Sequence, residues 1–169
     1  KLESGKADYH FKDVELSSLI INTITEMQGL ARERNISIDF KRPKFEDLVE
    51  IDQIKLAQVI RNLLSNAIKF SKVGNIIHFE VNKNKTGLVC NVIDEGIGVP
   101  KDELNSVFDK FSQSSKTKTG AGGTGLGLAI CQEIISAHRG KIWAENRSEG
   151  GMIFSFLLPF KQNLHKKKD

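Results

Sequence analysis

Three stretches of the chain carry apolar residues at the three- and four-residue spacing of an amphipathic helix. They cover residues 14–34, 53–70 and 126–138. Asp52 stands just before the second stretch, where its carboxylate can accept hydrogen bonds from exposed helix amides. Gly140 follows the third stretch and predicts a C-terminal cap there. The second stretch has the most complete apolar side, formed by Leu56, Val59, Ile60, Leu63, Leu64, Ala67 and Ile68.

Other stretches alternate between apolar and polar residues, as half-buried strands do. A turn over residues 83–87 joins two of them and predicts an antiparallel hairpin that ends at Asp94. Residues 101–111, behind Pro100, predict a short helix. Strands interleaved with helices and hairpins favour an α/β fold with an open mixed sheet and helices on one face. The predicted strands cover residues 36–40, 48–51, 77–81, 89–93, 141–146 and 152–158.

Composition is typical of a single globular domain. The 169 residues are 39% hydrophobic and 27% charged, and no stretch resembles a membrane span of roughly 20 apolar residues. The chain opens at Lys1 rather than at a methionine, so we expect it to be a piece of a longer protein. Residues 1–12 are then a remnant of an upstream helical bundle or linker, residues 13–160 the domain, and residues 161–169 a basic tail.

Charge and cysteine content narrow the function classes. The formal net charge of +4 comes partly from the run 166–168, which we interpret as a solvated tail. The body has no stripe of Arg and aromatic side chains on which single-stranded nucleic acid stacks, so we expect no nucleic-acid partner. Cys90 and Cys131 stand alone in apolar runs, which favours a reducing cytoplasm over a disulfide framework or a metal cluster.

A polar stripe runs along the helix predicted for residues 53–70. Its members are spaced by three or four residues and therefore share one face. Asparagine is a poor helix former, so two in a helix interior indicate a specific use. An Asn carbonyl suits a magnesium ion that keeps most of its waters, and a Lys can meet a phosphate. The stripe consists of Gln58, Asn62, Asn66 and Lys69.

Two glycine-rich clusters follow. Asp94 ends a strand and precedes Gly96 and Gly98, so its carboxylate can accept a hydrogen bond from an amino group such as that of adenine, with little side chain in the way. Residues 120–127 are rich in glycine and run into an apolar helix, whose free N-terminal amides can bind an anion. The same glycines satisfy a dinucleotide-binding pattern, but no buried strand precedes them, and P-loop and protein-kinase motifs are absent from the sequence.

Together and in this order, the clusters resemble the ATP-binding catalytic domain of sensor histidine kinases, within the GHKL superfamily. The resemblance covers roughly residues 14–160. The N box resembles residues 62–70, the G1 box residues 94–98, the F box residues 108–111 and the G2 box residues 123–127. Each box alone is a weak signal, and four in order form a strong one. The resemblance implies the Bergerat fold, a two-layer α/β sandwich, with ATP and Mg²⁺ as cofactors.

The resemblance also implies roles for individual residues. Asn66 would coordinate Mg²⁺, Asp94 would bind adenine, residues 124–128 would hold the phosphates, and a lid would cover about residues 99–123. Catalytic positions fall on Asn62, Asn66 and Lys69. The full set expected to contact nucleotide is Asn62, Asn66, Lys69, Phe70, Asp94, Gly96, Ile97, Gly98, Val99, Phe111, Gln113, Gly123, Thr124, Gly125, Leu126, Gly127 and Leu128.

The chain departs from the family pattern at two positions. Gln113 stands where the family often has a phosphate-binding Arg, with Lys116 or Lys118 as candidate replacements. Met152 stands where the family often has Ser or Thr, whose hydroxyl joins the hydrogen bonds around adenine. These departures concern contacts of the lid and of the base rather than the existence of the pocket.

The resemblance further implies that the γ-phosphate passes to a histidine on a separate dimerisation domain, and from there to a response regulator. None of His10, His78, His138 and His165 stands in the family's phosphoacceptor pattern, so we expect this chain alone not to phosphorylate itself. We interpret His78 as too enclosed to reach the phosphate. We expect the fragment to be monomeric and free of membrane contact, and its parent to be a homodimer, whether membrane-anchored or not.

Two other functions remain open. A GHKL ATPase of the gyrase or mismatch-repair type places a water-activating Glu one turn before the metal-binding Asn, and Asn62 occupies that position here. A nucleotide-sensing or scaffold module would keep the fold without kinase activity. The presence of Asn66, Asp94 and the glycines favours a working nucleotide site over the scaffold.

Overall fold

The computed structural model describes residues 8–109 and 126–162. The helices in this part of the chain are α1 (Leu16–Glu33), α2 (Gln53–Phe70) and α3 (Gly127–Ala137), and a 3₁₀ helix covers Lys101–Ser106. The strands are β1 (Lys12–Glu15), β2 (Ser37–Phe40), β3 (Leu48–Ile51), β4 (Ile76–Lys83), β5 (Gly87–Ile93), β6 (Lys141–Asn146) and β7 (Met152–Pro159). None of the described helices is both long and apolar enough to cross a membrane.

Five strands form the main sheet, in the order β2-β4-β5-β7-β6. The pair β2–β4 is parallel, and the other neighbours are antiparallel. Alternate residues of β4 follow this arrangement: Ile77 and Phe79 are buried in the core, whereas His78 points to the opposite face and its side chain is 43% exposed. The predicted mixed sheet with helices on one face is therefore confirmed, while the interpretation of His78 as an enclosed residue is wrong.

Helix α2 lies at the centre of the core. Its buried residues are the seven that its apolar spacing predicts, since a helix with one continuous apolar side buries that side. The predicted cap is also present: Asp52 Oδ1 accepts hydrogen bonds from the amides of Ile54 at 3.1 Å and Lys55 at 3.0 Å. The polar stripe of α2 is thereby turned away from the core along most of its length.

Helix α1 begins two residues later than predicted. Val14 belongs to β1, which pairs antiparallel with β3 as far as Glu15 opposite Leu48. The helix is capped from a distant loop, because the buried Asp47 carboxylate accepts a hydrogen bond from the Ser17 amide at 2.8 Å and another from the Ser17 hydroxyl. A cap thirty residues away satisfies the exposed amides that a local side chain usually satisfies.

Helix α3 ends one residue earlier than predicted. The amide of Arg139 donates to Ser136 O and that of Gly140 donates to Ile135 O, both at 2.9 Å. This pair of bonds is a Schellman motif, in which the residue after the cap takes the left-handed conformation. That residue is Arg139, at φ 60°, so Gly140 supplies an amide to the motif but not the left-handed residue that the sequence predicts there.

The chain enters the domain beside the C-terminal end of α3. The rings of Tyr9 and Phe11 pack edge-on against the ring of His138, with centroids 5.8 and 5.0 Å away. The amide of His10 donates to Asp52 Oδ2 at 2.8 Å. Residues 9–11 therefore pack against the domain, although they fall in the segment interpreted as an upstream remnant.

The predicted basic tail also begins with packed residues. Gln162 is buried, and its Nε2 donates to the backbone oxygen of His138 at 2.7 Å. The backbone amide of Gln162 donates to Glu50 Oε1 at 2.6 Å. Both ends of the described chain thus meet near the end of α3, away from the first turn of that helix.

Candidate functional site

A cavity opens between the C-terminal half of α2, the first turn of α3 and the loop that follows β5. Its empty volume, which includes space open to solvent, is about 560 Å³. Seven lining residues belong to the predicted contact set, namely Asn66, Phe70, Asp94, Ile97, Gly98, Val99 and Leu128. Three others lie outside that set: Val107, Phe154 and Met152, whose position the family resemblance places near the base.

Asp94 provides a buried carboxylate in the wall of this cavity. It is the residue directly after β5, and it is only 5% exposed. Its Oδ1 accepts hydrogen bonds from the amides of Gly96 at 2.8 Å and Met152 at 3.2 Å. Burial raises the pKa of the Asp94 carboxyl above its ordinary value, and these two bonds and the charge of Arg147 act against that rise. Because both bonds use Oδ1, Oδ2 is the oxygen left to meet a donor in the cavity.

The loop over residues 94–99 places two of the predicted glycines differently. Gly98 lies in the cavity wall at φ 68°, a left-handed conformation that glycine adopts without strain. Gly96 does not line the cavity, and a Cβ on it would lie 2.4 Å from the backbone oxygen of Phe70. The sequence predicts that both glycines give a ligand room, whereas at Gly96 the room is taken by α2.

The polar stripe of α2 divides between the cavity and its surroundings. Asn66 lines the cavity. Asn62 instead donates from Nδ2 to the backbone oxygen of Gly127 at 3.3 Å, which connects α2 to the first turn of α3. The ammonium of Lys69 lies 5.8 Å from the centre of the Phe70 ring, at the edge of the site. Of the three predicted catalytic positions, Asn66 is therefore the one that lines the cavity.

Val107, Met152 and Phe154 add to the apolar part of the cavity wall. Phe154 comes from β7 and meets the Phe108 ring edge-on at 6.0 Å. Met152 bonds to Asp94 through its backbone in both directions, because Asp94 also donates its amide to Met152 O at 3.0 Å. A backbone amide thus bonds to Asp94 at the position where the family often offers a hydroxyl. The register of Ile93 opposite Ile153 brings these residues together, a pairing that strand alternation alone does not specify.

Part of the predicted set cannot be placed. Phe111, Gln113, Gly123, Thr124 and Gly125 lie outside the described residues, as does most of the predicted lid. Leu126 immediately precedes α3, and Gly127 is its first residue. The first turn of α3 therefore stands beside the cavity, where its exposed amides can meet an anion.

Comparison with known proteins agrees with this geometry. A family model described as histidine kinase-, DNA gyrase B-, and HSP90-like ATPase matches residues 51–162. The chain belongs to this ATPase family. The sensor histidine kinase WalK of Bacillus subtilis is 39% identical to it over 163 residues, which are 92% of this chain and 26% of WalK. The chain thus spans about a quarter of that relative.

Solved structures place it more narrowly among the histidine kinases of this ATPase family. The nucleotide-free catalytic domain of histidine kinase ThkA superposes with a TM-score of 0.81 at 32% identity, covering 91% of this chain and 98% of the ThkA domain. ThkA in complex with the response regulator protein TrrA superposes with a TM-score of 0.78 at 29% identity, covering 92% of this chain and 43% of that one. The family resemblance and the fold inferred from the sequence are both confirmed.

Proposed function

We propose that this domain binds Mg·ATP in the cavity and donates the γ-phosphate to a histidine on a separate dimerisation domain. The observation that carries the proposal is the buried Asp94 carboxylate in a largely apolar cavity wall, where Oδ1 accepts both backbone bonds and Oδ2 accepts neither. A flat aromatic base with an exocyclic amino group matches this combination. The amino group would donate to Oδ2, and the ring would lie against apolar side chains.

The base would be enclosed from several elements at once. Ile97 and Val99 contribute from the loop after β5, Val107 from the end of the 3₁₀ helix, and Met152 and Phe154 from β7. Burying an aromatic ring among such side chains supplies most of the affinity, and the single carboxylate contact supplies orientation. Adenine has the amino group that Asp94 requires, whereas guanine presents a carbonyl at the corresponding position.

The phosphates would extend from the base toward α2 and the first turn of α3. Asn66 would hold Mg²⁺ through its amide oxygen, a ligand that suits an ion retaining most of its waters. Asn66 lines the cavity, so its oxygen could reach an ion held there. Mg²⁺ supplies charge neutralisation for phosphoryl transfer when bound. Lys69 and the amides at the start of α3, with residues 123–127, would hold the remaining phosphate oxygens.

The accepting histidine would come from another domain. His138 is fully buried, and both of its ring nitrogens are engaged, with Asp52 N and Ile134 O. His78 is exposed, but it lies on the sheet face opposite the helices. Neither of these two, nor His10, lines the cavity. By analogy with WalK and ThkA, the acceptor would lie on the parent's dimerisation domain, and a response regulator would receive the phosphoryl group afterwards.

The position of Asn62 favours kinase activity over ATP hydrolysis. An amide cannot take a proton from water, and this amide donates to Gly127 O instead. We therefore expect the chain to bind ATP but release phosphate slowly. The proposed parent is a homodimer that delivers its histidine to this pocket, while the fragment itself is a monomer.

A titration of Mg·ATP into the chain by calorimetry tests the binding step, with Mg·GTP as the control for the base. We expect saturable binding of ATP and much weaker binding of GTP. Fusing a histidine-bearing dimerisation domain ahead of residue 1 and supplying γ-labelled ATP tests the transfer. Acid-labile label on the added domain supports the proposal. Equal binding of the two nucleotides, or acid-labile label on the isolated chain, would overturn the part concerned.

A further inference from the structure

The last residue of β6 holds the loop over residues 94–99 from outside the cavity. Asn146 bonds to both backbone groups of Val99: its Oδ1 accepts from the Val99 amide at 3.1 Å, and its Nδ2 donates to the Val99 oxygen at 2.7 Å. One acceptor and one donor on the same side chain are thus matched to one donor and one acceptor on the same residue. A carboxamide presents both groups side by side whatever the pH, because it does not titrate.

The next residue holds the other end of the same loop. Arg147 Nη1 donates to the backbone oxygen of Asp94 at 3.1 Å and to that of Gly150 at 3.3 Å. The amide of Arg147 donates to Gly151 O at 2.9 Å. Two neighbouring residues at the end of β6 therefore fix the loop at its first and last positions.

Asn146 also limits where the middle of the loop can lie. A Cβ on Gly98 would come within 2.8 Å of Asn146 Oδ1, so the carboxamide and the loop backbone are in close contact. Ile97, Gly98 and Val99 line the cavity, whereas Asn146 is not among the lining residues. The side chain thus acts on the wall of the cavity without touching what the cavity holds.

We propose that Asn146 is a positioning residue for nucleotide binding, which places the 97–99 wall against the base. The role rests on the proposed function, because it concerns the same site. Without the two bonds to Val99, the loop gains freedom that a ligand must remove on binding, and the cost of that ordering appears as lost affinity. The catalytic positions on α2 are not altered.

Three variants test this role by calorimetric titration with Mg·ADP, which carries the base but no transferable phosphate. Asn146→Ala removes both bonds to Val99, and we expect it to weaken binding about 5- to 30-fold. Asn146→Asp has nearly the same shape but no hydrogen to donate to Val99 O, so we expect it to bind no better than the alanine variant. Asn84→Ala is the matched control.

The control removes an Asn with a similar backbone role far from the cavity. Asn84 Oδ1 accepts from the amides of Thr86 and Gly87, both at 2.9 Å, in the turn before β5. Asp94 follows the opposite end of that strand. We expect Asn84→Ala to lower the thermal midpoint of unfolding but to leave the dissociation constant for Mg·ADP within about twofold, since a small stability loss leaves the native site intact.

Hydrogen exchange of the Val99 amide, without nucleotide, measures the mobility of the 94–99 loop directly. We expect faster exchange in Asn146→Ala than in the unmodified chain and in Asn84→Ala, whereas Asn146→Asp keeps an oxygen that can accept from this amide. Binding by Asn146→Asp at wild-type strength would show that the bond to Val99 O is dispensable and overturn the paired role, and unchanged binding by Asn146→Ala would overturn the proposal as a whole. If the unmodified chain binds no adenine nucleotide, the proposed function fails and the positioning role falls with it.

Discussion

Helices α2 and α3 run antiparallel. At one end of the pair the polar side chains bond within the protein, and at the other end they line a cavity. At the end where α2 begins, Asp52 caps the helix through Oδ1 and accepts from the His10 amide through Oδ2. The Asp52 amide donates to His138 Nε2 at 3.1 Å, and His138 Nδ1 bonds to Ile134 O at 2.8 Å. We call Asp52, His138 and the residues 9–11 that pack on them the junction. Its acceptors are used within the protein.

At the other end, polar residues line a cavity. Asp94 accepts two backbone bonds through Oδ1, and we propose that its Oδ2 meets a ligand. Asn66 faces the same space. A buried polar group costs free energy unless it is paired, so such groups persist where a ligand pairs them. We interpret the polar residues of the junction as structural and propose Asp94 and Asn66 as ligand-binding, and the following predictions test this difference in order of expected effect.

Replacing His138 should destabilise the fold most. His138→Ala leaves a cavity and an unpaired buried amide on Asp52, which together cost about 2–4 kcal/mol in the free energy of unfolding. Denaturant titration measures the loss. Because the change is at the junction, the affinity of the remaining folded protein for Mg·ADP should stay within about twofold. A large fall in affinity at unchanged stability would reverse the assignment of the two ends.

Replacing Asp94 should have the opposite effect to replacing His138: nucleotide affinity should fall more than the stability of the fold. In Asp94→Asn the amide oxygen can keep the bonds from Gly96 and Met152, while the amide nitrogen replaces Oδ2 and presents hydrogens to the base amino group. Losing that charge-assisted bond costs about 1.5–3 kcal/mol of binding, or roughly 10- to 150-fold in affinity for ATP and ADP alike. Calorimetry and thermal unfolding together check it. Affinity within twofold of the unmodified chain would remove Asp94 from the site.

The two ends should also respond differently to acid. Burial lowers the pKa of His138 below its ordinary value of 6.5, so the folded state binds fewer protons than the unfolded state. Its contribution to stability is complete above pH 6.5 and decreases as the pH falls below that value. Comparing the unfolding free energy of the unmodified chain and of His138→Gln between pH 7.5 and 5.5 isolates this slope. Equal slopes in the two proteins would contradict it.

The pKa shift of Asp94 has the opposite direction, because burial raises the pKa of its carboxyl. The folded state then holds the proton more readily than the unfolded chain, so acid does not destabilise the fold through this residue. Protonation does remove the charge that meets the base. We expect the affinity for Mg·ADP to fall as the pH is lowered, and this fall should begin at a higher pH than it would for an aspartate with an ordinary pKa. In Asp94→Asn the affinity should depend less steeply on pH.

The smallest effect is expected at Asn62. Its bond to Gly127 O joins α2 to α3 at the cavity end, but it is long, at 3.3 Å, and exposed to solvent. Water replaces such a bond, so Asn62→Ala should cost about 0.5–1 kcal/mol in unfolding free energy. Denaturant titration of Asn62→Ala and His138→Ala compares the two losses of unfolding free energy. A loss as large as that of His138→Ala would mean that the two ends are equally dependent on paired polar groups.

Local patterns account for most of the fold that could be predicted. The buried side of α2 follows from spacing within one helix, and the hairpin from alternation around one turn. The cap of α1 does not, because Asp47 is distant in sequence and nothing local marks it as the partner of Ser17. Similarly, Arg139 takes a left-handed conformation that residue preference assigns to the following glycine.

The residues of the candidate site also divide into those that local sequence predicts and those that depend on distant partners. Asn66 and Asp94 could be predicted because asparagine in a helix and an acid before glycines are unusual for purely structural positions. Phe154 could not, since an apolar residue in a strand has the same pattern whether it meets the core or a cavity, and position 152 was placed near the base only by the family resemblance. Asn146 was missed because its partner, Val99, lies 47 residues away and its role depends on the pairing of β6 with β7.

The pairing of β5 with β7 has a consequence for protein synthesis. Asp94 receives one of its two carboxylate bonds from Met152, and the cavity takes part of its wall from Phe154. A ribosome that has released only the first five strands has therefore made every residue of the α2 stripe but no complete base pocket. We therefore expect nucleotide not to stabilise that nascent chain, whose core also still lacks Phe154, Phe156 and Leu158 of β7. On the proposed function, the ligand would act only on a domain whose last strand has already been added.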